Sequence, residues 1–339
     1  MGRILCFGEL LLRFSPAPQG AWLKTNTLPV YLGGAELNVA TALGRWKLPA
    51  AYCSALPDNH LAADIGREIA ERNIFTDTMH YSDGRIGTYF LGQGSDVKNA
   101  GVIYDRDYSA FASLKRGMLN WDLILKDVSW FHFSAISPAL NEQVADVCRE
   151  GLEAASKRNI SISVDLNYRP KLWKGRNPHD VMSGLCQYCD VIMGNIWSAQ
   201  NLLGIPLHES RLIPAKQDSY LEHAKQTSLL ILKKFSRCKT VANTFRFDRN
   251  DGGIDYYATL YSETHHFIHS SLFSAASIVD KVGSGDCFMA GLIYGLYNHW
   301  PGEQIIQFAA AAAFGKFMET GDATQQDLAT IQARARQYA

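Results

Sequence analysis

The chain has no surplus of charge: Lys plus Arg and Asp plus Glu stand at 33 each over 339 residues. No basic tail or stripe interrupts that balance, which argues against nucleic acid or an anionic membrane as a partner. There is no apolar run long enough to span a bilayer. Met1-Gly2-Arg3-Ile4-Leu5-Cys6-Phe7 goes straight into strand-like sequence, without the length or the small-residue cleavage site of a secretory leader. Cysteine is odd in number, at seven, and scattered. That usage fits a reducing cytoplasm rather than a disulfide scaffold. Cys186 and Cys189 form a CxxC, but it precedes a strand instead of opening a helix, and no second CxxC completes a zinc site. His265, His266 and His269 cluster in a polar, strand-like segment with only Glu263 at ligand spacing, and read as surface histidines. A GxGxxG is missing after the first strand, where Gly8-Glu9 stands, and no GxxxxGK[ST] occurs, so a dinucleotide dehydrogenase and a P-loop enzyme are both disfavoured.

What is present is a soluble-protein composition, 47% apolar, and a length that allows one large domain or two modest ones. Strand-like and helix-like segments alternate. Ile4–Gly8, Ala51–Ala55, Ser129–Ser134, Ile160–Asp165, Val191–Gly194 and Thr240–Asn243 read as strands. Leu61–Ile74, Asn141–Lys157, Asp286–His299, Glu303–Glu319 and Gln325–Gln337 read as helices, and Gly33-Gly34-Ala35 opens another. This order predicts an α/β fold with a central, mostly parallel sheet and helices on both faces, whose ligands sit beyond the carboxyl ends of the strands. Residues 12–32 and 85–108 break the rhythm with period-2 texture and Gly/Pro punctuation. They are expected to form a small inserted β-sheet, a lid, on an α/β domain made of 1–11, 33–84 and 109–339. The exposed edges of such a lid offer a route to a homodimer.

The chemistry is concentrated in Asp280-Lys281-Val282-Gly283-Ser284-Gly285-Asp286, ahead of an apolar run from Cys287 to Tyr297. The first N–H groups of a helix lack partners and carry positive partial charge, and glycines let an anion approach them. A carboxylate beside that nest can accept a proton from a hydroxyl attacking phosphorus. Three other polar groups fall at strand ends: Gly33-Gly34 with Asn38, Tyr104 with Arg106, and Asp165-Leu166-Asn167-Tyr168-Arg169-Pro170. Taken singly, a Gly-Gly is also a plain turn, Tyr104 also a core residue, and each arginine also a surface ion pair.

In combination and order, Gly33-Gly34-Ala35-Glu36-Leu37-Asn38, Gly87-Thr88-Tyr89-Phe90, Ile103-Tyr104-Asp105-Arg106, Asp165 to Trp173 and Gly283-Ser284-Gly285-Asp286 resemble the ribokinase-like (PfkB) sugar kinase family over essentially the whole chain. Within the family they look most like the 2-keto-3-deoxygluconate kinases. The resemblance implies an ATP-dependent phosphotransferase with an alcohol group as acceptor. Asp286 would be its catalytic base, and Gly283, Ser284 and Gly285 the anion hole. Glu9, Gly33, Gly34, Asn38, Tyr89, Tyr104, Arg106, Asn167 and Arg169 would bind the sugar. Asn195, Thr244 and Arg246 would face the nucleotide, with Mg²⁺ arriving on ATP rather than held by protein alone. Asp280 would lie near a monovalent-cation site, K⁺ being the candidate ion. A sugar acid is consistent with the two guanidinium groups, Arg106 and Arg169, because a carboxylate held beside ATP needs cationic pairing.

The nucleotide half departs from the family pattern. Where an Asn-x-x-Glu is usual, Asn195-Ile196-Trp197-Ser198 puts Ser198. Where a Thr-x-Gly-x-x-Gly loop is usual, Thr244-Phe245-Arg246-Phe247 has no glycine. Two alternatives therefore stand beside the sugar-acid kinase. One is a kinase for a neutral sugar such as fructose or ribose. The other is a sugar-responsive binding or regulatory protein that has lost phosphoryl transfer.

Overall fold

The computed structural model describes residues 2–16, 22, 26–92, 101–207, 217–264 and 266–339. Its centre is a nine-stranded sheet. From one edge the order runs His266–His269, Ile254–Ser262, Thr240–Asp248, Val191–Gly194, Ser161–Asp165, Val128–Ser134, Arg3–Phe7 and Ala50–Cys53, with Phe273–Ala275 also pairing with Ile254–Ser262. From Thr240–Asp248 to Ala50–Cys53 every neighbour is parallel. The strands beyond Thr240–Asp248 are antiparallel.

Strand periodicity sorts side chains onto two faces. In Arg3–Phe7, Ile4 and Cys6 enter one core while Leu5 and Phe7 enter the other. The first core is closed by the helices Ala35–Arg45, Ser284–Tyr297 and Gly302–Lys316, the second by Glu142–Lys157 and Pro178–Cys186. The Ala309–Ala313 run lets two helices meet closely: a Cβ on Gly291 would lie 2.7 Å from the Ala309 Cα. All seven cysteines, including Cys186 and Cys189, are buried free thiols. Among the described residues no helix is long and apolar enough to cross a membrane.

Several boundaries move by a few residues. The Asn141 side chain caps Glu142–Lys157 by accepting from the Val144 N–H at 2.9 Å, and Asn59 caps His60–Glu71 in the same way. The larger difference is at Thr240. The expected strand end at Asn243 continues to Asp248 and returns through a hairpin to Ile254–Ser262, turning at Gly252 with φ of 83°. Of the histidine cluster, His265 lies outside the described residues, while His266 and His269 are exposed on the sheet-edge strand.

The inserted sheet has the order Val30–Gly33, Leu11–Phe14, Gly87–Phe90, Ile103–Asp105. The outer pairings are antiparallel. The central one, Leu11–Phe14 with Gly87–Phe90, is parallel because the main domain connects the two segments. Residues 17–21, 23–25 and 93–100 of the expected lid lie outside the described residues.

Candidate active site

Asp280 to Asp286 leads into the helix Ser284–Tyr297. Its start is pinned from behind: the Val279 and Asp280 N–H groups donate to the Phe317 carbonyl, and Asp280 Oδ1 accepts from the Val282 N–H at 3.1 Å. Gly283 is the N-cap, at φ 78°, and a Cβ there would stand 1.8 Å from the Asp322 carbonyl oxygen. No other residue fits. Gly285 differs in kind. A Cβ on it would meet nothing within 4 Å, so its backbone is bare toward the cavity in front. The first-turn N–H groups of this helix, carrying the positive end of its dipole, are open to an anion.

Asp286 sits in that first turn, 7% exposed. Its Oδ2 accepts from Asn38 Nδ2 at 2.7 Å. Burial pushes its pKa up to about 7; the Asn38 bond opposes that, the Asp165 and Glu36 carboxylates add to it, and Arg169 counters them. A carboxyl poised near neutrality is suited to taking a proton and releasing it. Asn38 stands one turn into Ala35–Arg45, behind Gly34, which has a φ of 133° and where an added Cβ would lie 2.5 Å from the Glu9 carbonyl oxygen, so only glycine fits. Asn38 Oδ1 is buried without a partner among the described residues, and the residue itself lines the cavity in front of Asp286.

One cavity of about 610 Å³ joins these groups to most of the expected site. Of the residues expected to bind the sugar, Glu9, Gly34, Asn38, Tyr89, Tyr104, Arg106, Asn167 and Arg169 line it. Gly33 does not; it packs behind, where its Cβ would meet Asp322 Oδ2 at 2.4 Å. The two arginines are not equivalent. Arg106 is buried and already paired, its Nε and Nη2 both 2.6 Å from Glu9 Oε2. Arg169 is half-buried, and its hydrogen bond runs to the Tyr168 carbonyl at 3.3 Å, with no carboxylate partner among the described residues. Its position follows from Pro170, which starts the short helix Pro170–Trp173 and leaves Arg169 extended at φ −131°.

On the far side the cavity is lined by Asn195, Ser198, Thr244 and Arg246. Ser198 is occupied with structure. Asn195 Oδ1 accepts from the Ser198 N–H at 2.8 Å, and Ser198 Oγ accepts from the Asn195 N–H at 2.9 Å, a capping box at the head of Ile196–Leu203. Thr244 and Arg246 lie on the continuous strand Thr240–Asp248, so side chains stand where a glycine loop would present amides. Lys281 bridges this strand to the Asp280–Asp286 loop through Asp248 at 2.8 Å. No group of three or more His, Cys, Asp or Glu side chains that could hold a metal ion occurs among the described residues.

Sequence reasoning passed over Glu36, Trp197, Asp248 and Asp322, all of which line the cavity. It also passed over Arg13 and Lys316, which lie behind it. Asp280 does not reach the cavity either. It accepts from Arg13 Nη1 and Nη2 at 3.1 Å, while Arg13 Nε lies 2.8 Å from Asp322 Oδ1, and the Tyr89 hydroxyl donates to Asp322. Asp280 had a sequence signal in its place just ahead of the Gly283-Ser284-Gly285 loop, and Glu36 and Trp197 lie inside the Gly33–Asn38 and Asn195–Ser198 motifs.

The model of the pfkB family carbohydrate kinases matches residues 1–235 and 252–326. The unmatched stretch between them contains Thr240–Asp248, where the nucleotide side departs from the usual pattern. The 2-dehydro-3-deoxygalactonokinase of Haloferax volcanii is 28% identical over 328 residues, 94% of this chain and 92% of its own. The crystal structure of 2-dehydro-3-deoxygluconokinase from Thermotoga maritima is similar with a TM-score of 0.89 at 30% identity, covering 99% of this chain and 100% of that one. The fructokinase of Xylella fastidiosa with bound ATP shares the fold, with a TM-score of 0.71 at 19% identity over 99% of this chain and 98% of its own.

Proposed function

The chain belongs to the pfkB family of carbohydrate kinases, and from that membership we propose that it transfers the γ-phosphoryl group of ATP to the terminal hydroxyl of 2-keto-3-deoxygluconate, giving ADP and the 6-phosphate. The observation that carries the choice of a sugar acid is Arg169, a guanidinium that lines the same cavity as Asp286 and has no carboxylate partner among the described residues. A neutral hexose has no use for that charge, whereas a carboxylate neutralises it.

In this reading Asp286 accepts the proton of the attacking hydroxyl as its oxygen bonds to the γ-phosphorus. The bond from that phosphorus to the β,γ-bridging oxygen breaks, and ADP leaves. The N–H groups at the mouth of Ser284–Tyr297 face the charge that builds on the phosphoryl oxygens. Asn38 orients Asp286 through its Nδ2 and lines the pocket in which the sugar would bind. Mg²⁺ enters as part of the nucleotide substrate, since phosphates supply most of its ligands. Thr244 and Arg246 meet the nucleotide with side chains. The seven buried thiols are in keeping with a cytoplasmic enzyme. The outer lid strands, Val30–Gly33 and Ile103–Asp105, present the edges through which a homodimer would form, a point that sedimentation resolves.

The test is coupled ADP release with 2-keto-3-deoxygluconate, its galactonate epimer, fructose and ribose. The expected order puts the gluconate first and both acids well ahead of the neutral sugars. Preference for the galactonate, the acid for which the Haloferax relative is named, keeps the acid class and changes the epimer. Preference for fructose or ribose removes the role of Arg169. ATP binding without turnover of any sugar would support a regulatory protein.

A further inference from the structure

Lys316 ends the helix Gly302–Lys316 and is fully buried. A buried ammonium costs much unless it is paired and hydrogen-bonded. Here Nζ donates to the backbone carbonyls of Gly321 at 2.9 Å and Glu319 at 3.2 Å, so the chain after the helix wraps round it. Burial pulls its pKa down, and the nearby Asp280, Glu319 and Asp322 carboxylates pull it up. Backbone carbonyls beside carboxylates are the ligands that a hard cation takes. The resemblance to sugar kinases implies a monovalent cation near Asp280.

The residues present do not fit such an ion. Arg13, Lys316, Asp280 and Asp322 are at most 3% exposed, and Arg13 contacts both carboxylates. Within these four the two positive and two negative side chains balance, and the half-buried Glu319 is a further carboxylate near Lys316. A metal ion added there would compete with Lys316 for the same carbonyls and add a third positive charge to a buried cluster. The cluster also sits against the anion hole. The Cβ position at Gly283 lies 1.8 Å from the Asp322 carbonyl oxygen and 3.4 Å from Lys316 Cε, and Asp280 accepts from the Val282 N–H.

We propose that Lys316 is a built-in cation: its ammonium fills the place of a monovalent metal ion behind the anion hole, and phosphoryl transfer in this chain is therefore independent of K⁺. Lys316 is a positioning residue. It fixes residues 319–322, which back Gly283, and through them the N–H groups that receive the phosphoryl oxygens. The inference rests on the family activity alone and holds for whichever sugar is the substrate.

The test measures initial rates of the wild-type enzyme with MgATP in tetramethylammonium buffer, on the best substrate of the sugar panel, while KCl replaces tetramethylammonium chloride at constant ionic strength. The expected change is less than about twofold; activation of about tenfold or more overturns the proposal. The Lys316→Met variant, with folding checked by circular dichroism and melting, is expected to lose about 100-fold in kcat with a smaller change in sugar KM, and to regain at least about tenfold on adding K⁺ or NH4⁺ but not tetramethylammonium. Full activity of the variant without added cation overturns the proposal. So does a folded variant that no small cation rescues, because Lys316 would then serve only as a helix terminus. If Lys316→Met does not fold, the wild-type titration decides alone. Absence of turnover in every condition would instead count against the kinase reading.

Discussion

Asn38 and Asp286 lie 248 residues apart in sequence and meet at 2.7 Å, Nδ2 to Oδ2, at the mouth of the helix Ser284–Tyr297. The contact joins the helix Ala35–Arg45 to the Asp280–Asp286 loop. It also opposes the burial that raises the Asp286 pKa to about 7. The proposed base is thus held by a residue that also lines the cavity.

Removing that hydrogen bond should move a pH profile. With Asp286 acting as base, kcat/KM for the wild type falls below about pH 7, where the carboxyl is protonated. Asn38→Ala removes an influence that lowers the pKa, so the acid limb should shift to higher pH. The profile of kcat/KM checks this, and an unmoved limb would separate Asn38 from the base.

Asp286→Asn is expected to lose about 1,000-fold or more in kcat while still binding sugar. Its stability should move in the opposite direction. A carboxyl whose folded pKa exceeds its unfolded one is protonated in the fold while already ionised in the unfolded chain, so it penalises folding as pH rises from about 4 toward its folded pKa. The asparagine lacks that penalty. We expect a gain of roughly 2 kcal/mol near neutrality, and little gain near pH 4, in melts compared across pH.

The two pocket arginines should separate cleanly. Arg169→Ala is expected to raise KM for the sugar acid roughly 10- to 100-fold with little change in melting temperature. Arg106→Ala leaves Glu9, 2% exposed, without its cation. It should destabilise the fold by about 3–5 kcal/mol. Denaturation and steady-state kinetics on both variants check this, and a stable Arg106→Ala with a selective KM defect would reverse the assignment.

The glycines of the loop offer a second contrast. Gly283→Ala forces a methyl group onto the Asp322 carbonyl at a left-handed backbone position. It should destabilise by about 2–4 kcal/mol. Gly285→Ala meets no protein atom within 4 Å. It should fold normally and lose nucleotide-dependent turnover, because the methyl enters the space an incoming phosphate uses. Melting and single-turnover rates distinguish the two outcomes.

How much of this was legible in the chain depended on the range over which each signal acts. Gly283 to Asp286 is marked locally by glycines, a small polar residue and an acid before an apolar run, but alone it also reads as a glycine turn with an Asp cap, and the other motifs in order give it its weight. Val191–Gly194 was readable to the residue because a short, fully buried strand is a continuous apolar run. Thr240–Asp248 was not. Phe245, Arg246 and Phe247 have strand chemistry, but their extension depends on pairing with Ile254–Ser262 across a hairpin. The engagement of Arg106 by Glu9 links residues 97 apart, and Arg13 reaches Asp280 across 267. No local pattern marks such pairs. Lys316 reads as an ordinary cation in the last turn of a helix until the carbonyls around it are seen.

Arg13 and Tyr89 belong to the two central strands of the inserted sheet, and both are fastened to Asp322, which backs Gly283. The root of the cover and the helix mouth are therefore one solid piece. A substitution at Asp322 would loosen the inserted sheet and the start of Ser284–Tyr297 together.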